Sequence, residues 1–231
     1  IRHNLYYPPI IALRIENITC DALNILSAAY ISYGNQVFVS SVLIEGADAD
    51  TFFNYPDSMY SKDKNNVYYR DRIVRKANPE TFEIISPQFQ KDDERVWYMG
   101  SLLYADSKTF RVFSYDRPDE PWKSSSLYAC DKKHVFYQYL ILDDADLKTF
   151  RVLKSAKSDE LYGVDEKHVF YHHMYLEYAD ADTFRVVDEN DRHLIDNPEV
   201  DAYDKNYMYA CGNKMRMTEK ETEILFLSHA Y

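Results

Sequence analysis

Asp63-Lys64-Asn65-Asn66-Val67-Tyr68-Tyr69 recurs without gaps as Asp92-Asp93-Glu94-Arg95-Val96-Trp97-Tyr98, Asp131-Lys132-Lys133-His134-Val135-Phe136-Tyr137 and Asp165-Glu166-Lys167-His168-Val169-Phe170-Tyr171. Each copy is an acidic or polar turn followed by Val-aromatic-Tyr. A weaker copy, Gly34-Asn35-Gln36-Val37-Phe38-Val39, precedes the four, with Gly34 read as replacing the leading Asp. Asp204-Lys205-Asn206-Tyr207-Met208-Tyr209 follows them, which makes six. Each copy closes on a second signature: Thr51-Phe52, Thr81-Phe82, Thr109-Phe110, Thr149-Phe150 and Thr183-Phe184, with Thr222-Glu223 in the sixth. From the Val, or Met208, to that Thr the separation is 14 residues in five copies and 13 in the third, whereas from each Thr to the next Val it runs from 15 to 26. A fixed separation marks contacts that admit no insertion. A variable one marks a surface connection, where each doubling of length costs only about 0.6 kcal/mol.

Within one copy, Val-aromatic-Tyr has the β-branched and aromatic composition of a strand, and polar pairs such as Arg70-Asp71 or Gly100-Ser101 turn the chain into a second strand. Ala47-Asp48-Ala49-Asp50-Thr51, Ala77-Asn78-Pro79-Glu80-Thr81 and their equivalents follow. Asn78 before Pro79 reads as a helix N-cap and first helical position, and Asp fills the same cap slot elsewhere. The expectation is one helical turn per copy, locked down by the following Phe, then a short third strand such as Arg111-Val112-Phe113. Units of about 30 residues cannot bury an apolar face alone and must stack. The fold class is therefore mainly β: tandem β-hairpins, each with a helical turn and a short third strand, within one repeat domain over 1–231. The units span 33–55, 63–87, 92–114, 131–155, 165–188 and 204–228. Residues 1–30 form a degenerate one, in which Thr19-Cys20-Asp21-Ala22-Leu23-Asn24-Ile25-Leu26 echoes the Thr-Phe segment. Three strands are fewer than the four of a propeller blade, so an open or curved array is preferred to a closed propeller-like ring.

Of 231 residues, 46% are hydrophobic and 28% charged, which suits a soluble globular chain with a sizeable core, and no apolar run reaches the length of a membrane span. The formal net charge of −11 repels phosphate backbones, so no nucleic-acid partner is expected, and it favours a basic partner. Three widely spaced cysteines, Cys20, Cys130 and Cys211, form neither a disulfide framework nor a zinc pattern. The chain opens at Ile1, so its natural start is expected upstream. A cytoplasmic location is favoured over a periplasmic or membrane-anchored one.

Asp63-Lys64-Asn65-Asn66-Val67-Tyr68-Tyr69 and Asp204-Lys205-Asn206-Tyr207-Met208-Tyr209 resemble the repeats of the bacterial DKNYY family, and the coupled Thr-Phe signature extends the resemblance over residues 33 to 231. Some proteins of that family lie beside secreted toxin genes. The resemblance therefore implies an immunity or binding role and no enzyme activity.

The residues offer little chemistry of their own. Asp48-Ala49-Asp50, Asp143-Asp144-Ala145-Asp146 and Asp180-Ala181-Asp182 could suggest calcium, yet no turn-forming Gly or downstream bidentate acid accompanies them, and capping accounts for them better. His168 and His172 share a strand face by period, but His168 and His134 occupy the slot of Asn66, Arg95 and Tyr207, a variable turn edge. They read as structural surface residues. No Gly-x-Ser-x-Gly elbow, Cys-x-x-Cys pair or Gly-rich phosphate loop occurs. No catalytic residue, metal, cofactor or small-molecule substrate is expected.

Two insertions interrupt the regular spacing. Residues 114–130 carry Tyr115, Asp116, Arg117, Asp119, Glu120 and Trp122; residues 188–203 carry Asp188, Glu189, Asp191, His193, Asp196 and Glu199. Both are acidic, and the first sets aromatic anchors among charges, the composition of a protein-binding hot spot. These twelve residues are the candidate partner-binding site. The expected function is non-enzymatic binding and neutralisation of a cognate bacterial toxin with a basic domain. The alternative is an envelope-associated scaffold repeat without a single tight partner.

Overall fold

A computed structural model describes residues 23–114, 125–154, 161–188, 195, 197–219 and 221, and in it the six copies become six four-stranded antiparallel sheets in tandem. The first contains β1 (Leu23–Ile25), β2 (Tyr30–Tyr33), β3 (Gln36–Val39) and β4 (Val42–Leu43). The second contains β5 (Phe53–Asn54), β6 (Tyr60–Lys62), β7 (Val67–Tyr69) and β8 (Arg72–Ile73), and the third β9 (Glu83–Ile84), β10 (Phe89–Lys91), β11 (Val96–Tyr98) and β12 (Ser101–Leu103). The fourth contains β13 (Arg111–Ser114), β14 (Ser125–Cys130), β15 (Val135–Tyr137) and β16 (Leu140–Ile141), and the fifth β17 (Arg151–Lys154), β18 (Leu161–Val164), β19 (Val169–Tyr171) and β20 (Met174–Tyr175). The sixth contains β21 (Arg185–Val186), β22 (Ala202–Tyr203), β23 (Met208–Ala210) and β24 (Asn213–Met215). Strands follow one another in chain order within every sheet. The residues group into two compact units, Ile1–Tyr104 and Ala105–Tyr231, each holding three of the sheets.

The mainly β repeat is as the sequence reading has it, but three strands per copy is corrected to four. The strand after Thr-Phe does not return to the hairpin before it; it opens the next sheet. β9, which follows Thr81-Phe82, pairs with β10 through Gln90↔Ile84 and Lys91↔Glu83. The overlooked strand is the one before each Asp turn. In five copies it carries an aromatic seven residues ahead of the Val: Tyr30, Tyr60, Phe89, Tyr128 and Tyr162. The variable-length segment is thus the connection between the first and second strands of one sheet. Register also corrects the first copy. Tyr33 pairs with Gln36, so Tyr33 holds the position of the Asp and Gly34 that of the Lys.

The Thr-Phe residues lie between sheets rather than on their own hairpin. Phe52 contacts Tyr30 of β2 and Tyr68 of β7, with ring centroids 5.5 and 6.2 Å away. Phe82 lies between Tyr60 and Trp97, Phe150 between Tyr128 and Phe170, and Phe184 between Tyr162 and Tyr209, all at 5.1–6.2 Å. Each of these four Phe residues therefore buries one sheet's second strand against the next sheet's third. A repeat has no core without its neighbour.

The segments expected as helical turns are single turns, closed by Thr N–H donation to the cap residue's C=O at 3.2–3.3 Å. None of them extends into an α-helix. The Thr222-Glu223 pair lies outside the described residues. Just before it, Thr218 and Glu221 form a reciprocal capping box, Thr218 N–H to Glu221 Oε2 at 2.9 Å and Glu221 N–H to Thr218 Oγ1 at 3.3 Å.

The residue three after the Val, or after Met208, has a left-handed backbone in all six copies: Ser40, Arg70, Met99, Gln138, His172 and Cys211 at φ 46–57°. A two-residue connection between twisted strands demands this, and an L side chain there costs about 1 kcal/mol. Gly212, next in its turn at φ 75°, has a second reason to be glycine, since a Cβ would lie 2.7 Å from the Tyr171 ring. Gln138→Gly is expected to stabilise the chain by up to about 1 kcal/mol, read as a higher urea midpoint at unchanged m-value. A lower midpoint would contradict the strain.

Candidate functional site

The polar signature residues form a latch. Asp63, Asp92, Asp131, Asp165 and Asp204 are all at most 5% exposed. One carboxylate oxygen accepts the N–H groups two and three residues ahead, as Asp165 Oδ1 does from Lys167 and His168 at 2.7 Å. The other reaches back across the variable connection to the preceding turn. It accepts the N–H of Asp48, Asn78, Asp106, Asp146 or Asp180 at 2.7–3.0 Å. The turn's Thr hydroxyl accepts the N–H of the residue after the Asp, at 3.0–3.4 Å in five copies.

Where that residue is Lys, its ammonium pairs with the cap carboxylate: Lys64 with Asp48, Lys132 with Asp106 and Lys205 with Asp180, at 2.6–2.8 Å. The Lys132 bond, followed by the Thr109 hydroxyl, holds the Asp106 carboxyl down at about 2. Asp-Lys and Ala-Asp-x-x-Thr are thus two halves of one joint, and one acid of each group, Asp48, Asp146 and Asp180, is the cap.

A further partner of the buried carboxylate depends on the copy. Where the aromatic after Val or Met is Tyr, its hydroxyl donates to the Asp: Tyr68 to Asp63 at 2.8 Å and Tyr209 to Asp204 at 2.7 Å. Burial first, then that bond, pushes both phenol pKa values up. Where it is Phe, a His supplies the contact. His134 Nδ1 lies 3.3 Å from Asp131 and His168 Nδ1 3.1 Å from Asp165. His172 does something different, stacking on Tyr171 and Tyr137 at 4.1 and 5.0 Å while its C=O accepts the Tyr128 hydroxyl. Among the described residues, no three His, Cys, Asp or Glu side chains are grouped to hold a metal ion, and no helix is long and apolar enough to cross a membrane.

Both insertions fall between the first and second strands of a sheet, the fourth and the sixth. Tyr115, Asp116, Arg117, Asp119, Glu120 and Trp122 lie outside the described residues, as do Glu189, Asp191, His193 and Asp196. Asp188 and Glu199 are described, and both are exposed. The described residues at the end of that loop, 195 and 197–200, form a defined turn. Asn197-Pro198-Glu199-Val200 repeats the capped turn of Asn78-Pro79-Glu80-Thr81: Glu199 N–H donates to Asn197 Oδ1 at 2.9 Å and Val200 N–H to Asn197 C=O at 3.3 Å. Ile195 and Val200 are buried with Val187, Tyr203 and Met208 and pin this turn to the sixth sheet.

Asp201, at the place of the second-strand aromatic, is 2% exposed and serves the interior. It accepts the Tyr162 hydroxyl at 2.6 Å and the Cys211 N–H at 2.9 Å. Sequence reasoning missed both features. The signal for the turn was the second Asn-Pro-Glu, and the signal for Asp201 was its position seven residues before Met208.

In the first unit, a cleft of about 300 Å³ is lined by Asn35, Gln36, Asp48 and Asn65. Asp48 is already committed there to Lys64 and Thr51.

Repeated sheets, latched by a buried Asp and bridged by a Phe, define a tandem β-repeat protein whose shared polar residues hold the joints. The chain belongs to the DKNYY family, whose model matches residues 14–139 and 128–213. No curated protein and no solved structure matches the chain.

Proposed function

We propose that this repeat protein is a non-enzymatic binding protein, an immunity protein that captures and neutralises a toxin effector through the effector's basic surface. One observation carries the reading. The polar residues common to the copies are engaged in joints, so variation in length and charge is left to the connections between first and second strands. Two of these connections carry the acids and aromatics of a recognition surface. A net charge of −11 accelerates encounter with a basic partner and selects against acidic ones. Asp188 and Glu199, exposed beside a turn anchored by Ile195 and Val200, give such a surface a fixed base.

The test replaces Asp116, Asp119, Glu120, Asp188 and Asp191 together with Lys. Immobilised wild-type protein is expected to retain one basic protein from an extract of its native cell, identified by mass spectrometry. The variant should retain at least tenfold less, with thermal unfolding nearly unchanged. Retention at the wild-type level would exclude these loops. Absence of any selectively retained basic protein would remove the toxin-neutralising reading.

A further inference from the structure

The hairpin of β7 and β8 carries a charge pattern that neither the latch nor the core requires. Arg70, Arg72, Arg75 and Lys76 are all exposed, and Ile73 stands among them at 49% exposure. At the same four positions the first copy has Ser40, Val42, Glu45 and Gly46, and the fourth has Gln138, Leu140, Asp143 and Asp144. Those copies form the same four-stranded sheet, so the cations are not there for the fold. Asp71 is the single acid between Lys64 and Pro79, in a chain whose net charge is −11. Among the described residues, none of the four cations is in an ion pair.

Two methionines border this hairpin. The Met59 C=O accepts the Arg70 N–H at 2.8 Å and its sulfur lies 3.0 Å from Arg70 Nε, yet the side chain is 49% exposed. Met99, 46% exposed, opens the equivalent turn of the next sheet, where a Cβ on Gly100 would lie 3.3 Å from Tyr69 Cβ. All of these residues belong to the first compact unit. Exposed methionines adapt their shape to an apolar partner, and guanidinium groups take carboxylates through two parallel hydrogen bonds. An apolar side chain can therefore settle on Ile73 and the methionines while acids beside it meet the cations.

We propose that this hairpin is a docking surface for an acidic polypeptide segment with apolar side chains set among its carboxylates. Charge selects that occupant. A short acidic segment meets only the cations, whereas an extended polyanion, such as an anionic bilayer or a nucleic acid, also faces the rest of an acidic chain. The site does not rest on the toxin-neutralising reading, whose surface is built from acids of the second unit and seeks a basic partner.

Fluorescence anisotropy tests this on the full chain, with a labelled peptide of glutamates and interspersed leucines as the probe and circular dichroism confirming that each variant folds. The wild type is expected to bind in the micromolar range, and to bind less tightly as salt rises from about 0.1 to 1 M and the screening length falls from about 10 to 3 Å. R72E/R75E should bind at least tenfold more weakly. I73S should bind about tenfold more weakly, and the wild type should lose about as much when the leucines of the peptide are replaced by serine. A wild type that does not bind the probe, R72E/R75E binding it equally, or equal binding of the glutamate–serine peptide would each overturn the proposal. So would retention of the wild type on phosphatidylserine vesicles that R72E/R75E abolishes and the probe does not compete, which would make the hairpin a lipid-binding surface.

Discussion

Asp165→Ala is expected to destabilise the chain by about 3 kcal/mol, because it leaves the N–H groups of Lys167, His168 and Asp146 without their acceptor and opens the joint between the fourth and fifth sheets. A loss of that size lowers the melting temperature by roughly 10 °C, measured by calorimetry. Asp165→Asn keeps an acceptor for two of the three donors and should lose about half as much. The same carboxylate sets the acid limit. Burial raises its pKa, but donation from Asp146, Lys167 and the His168 side chain outweighs this and holds the folded value below the ordinary one. Asp131 is lowered in the same way, with Asp106, Lys133 and His134 as donors. A carboxyl with a depressed folded pKa contributes stability that is complete above its unfolded value, about 3.9, and is lost as pH falls through the folded value. Stability is expected to drop steeply below about pH 4, and Asp165→Asn should flatten that drop. An unchanged acid profile in Asp165→Asn would show that this carboxylate does not carry the dependence.

How the sequence spoke at each level follows from the physics of the joint. Val-aromatic-Tyr and Thr-Phe were legible because each repeats at a nearly constant distance, and that distance is constant because it spans two hairpin strands and the capped turn. The strand before each Asp was not, because it is short and begins inside the segment whose length varies; only its aromatic seven residues before the Val betrays it. His134 and His168 read as edge residues because each was compared with its own column. Compared with the next column but one, each accompanies a Phe where Tyr68 and Tyr209 supply a hydroxyl, and the substitution becomes a replacement of one carboxylate partner by another. Of the candidate binding residues, composition and spacing could name loops but not geometry. Asp201 shows why acid content alone misleads: two acids from the same loop, Asp188 and Glu199, face solvent, while this one accepts two internal hydrogen bonds.

Phe150→Ala should be the most damaging single core change, about 4 kcal/mol, since the ring is 7% exposed and packs on Phe113, Tyr128 and Phe170 from two adjoining sheets. Its place also depends on a residue with no side chain. A Cβ at Gly163 in β18 would lie 2.4 Å from Phe150 Cζ and 3.1 Å from Tyr128 Cε1, and both rings are too confined to retreat. Gly163→Ala is therefore expected to cost about 2–3 kcal/mol by overpacking. Its backbone has no positive φ, so ring clearance rather than conformation is the reason for the glycine. The double variant separates the two explanations. With Phe150 already Ala, the added methyl enters the space the ring has left, and Gly163→Ala should then cost less than about 0.5 kcal/mol, a coupling of about 2 kcal/mol in urea unfolding. If Gly163→Ala costs as much without the ring as with it, the glycine serves the strand and not the Phe that joins one repeat to the next.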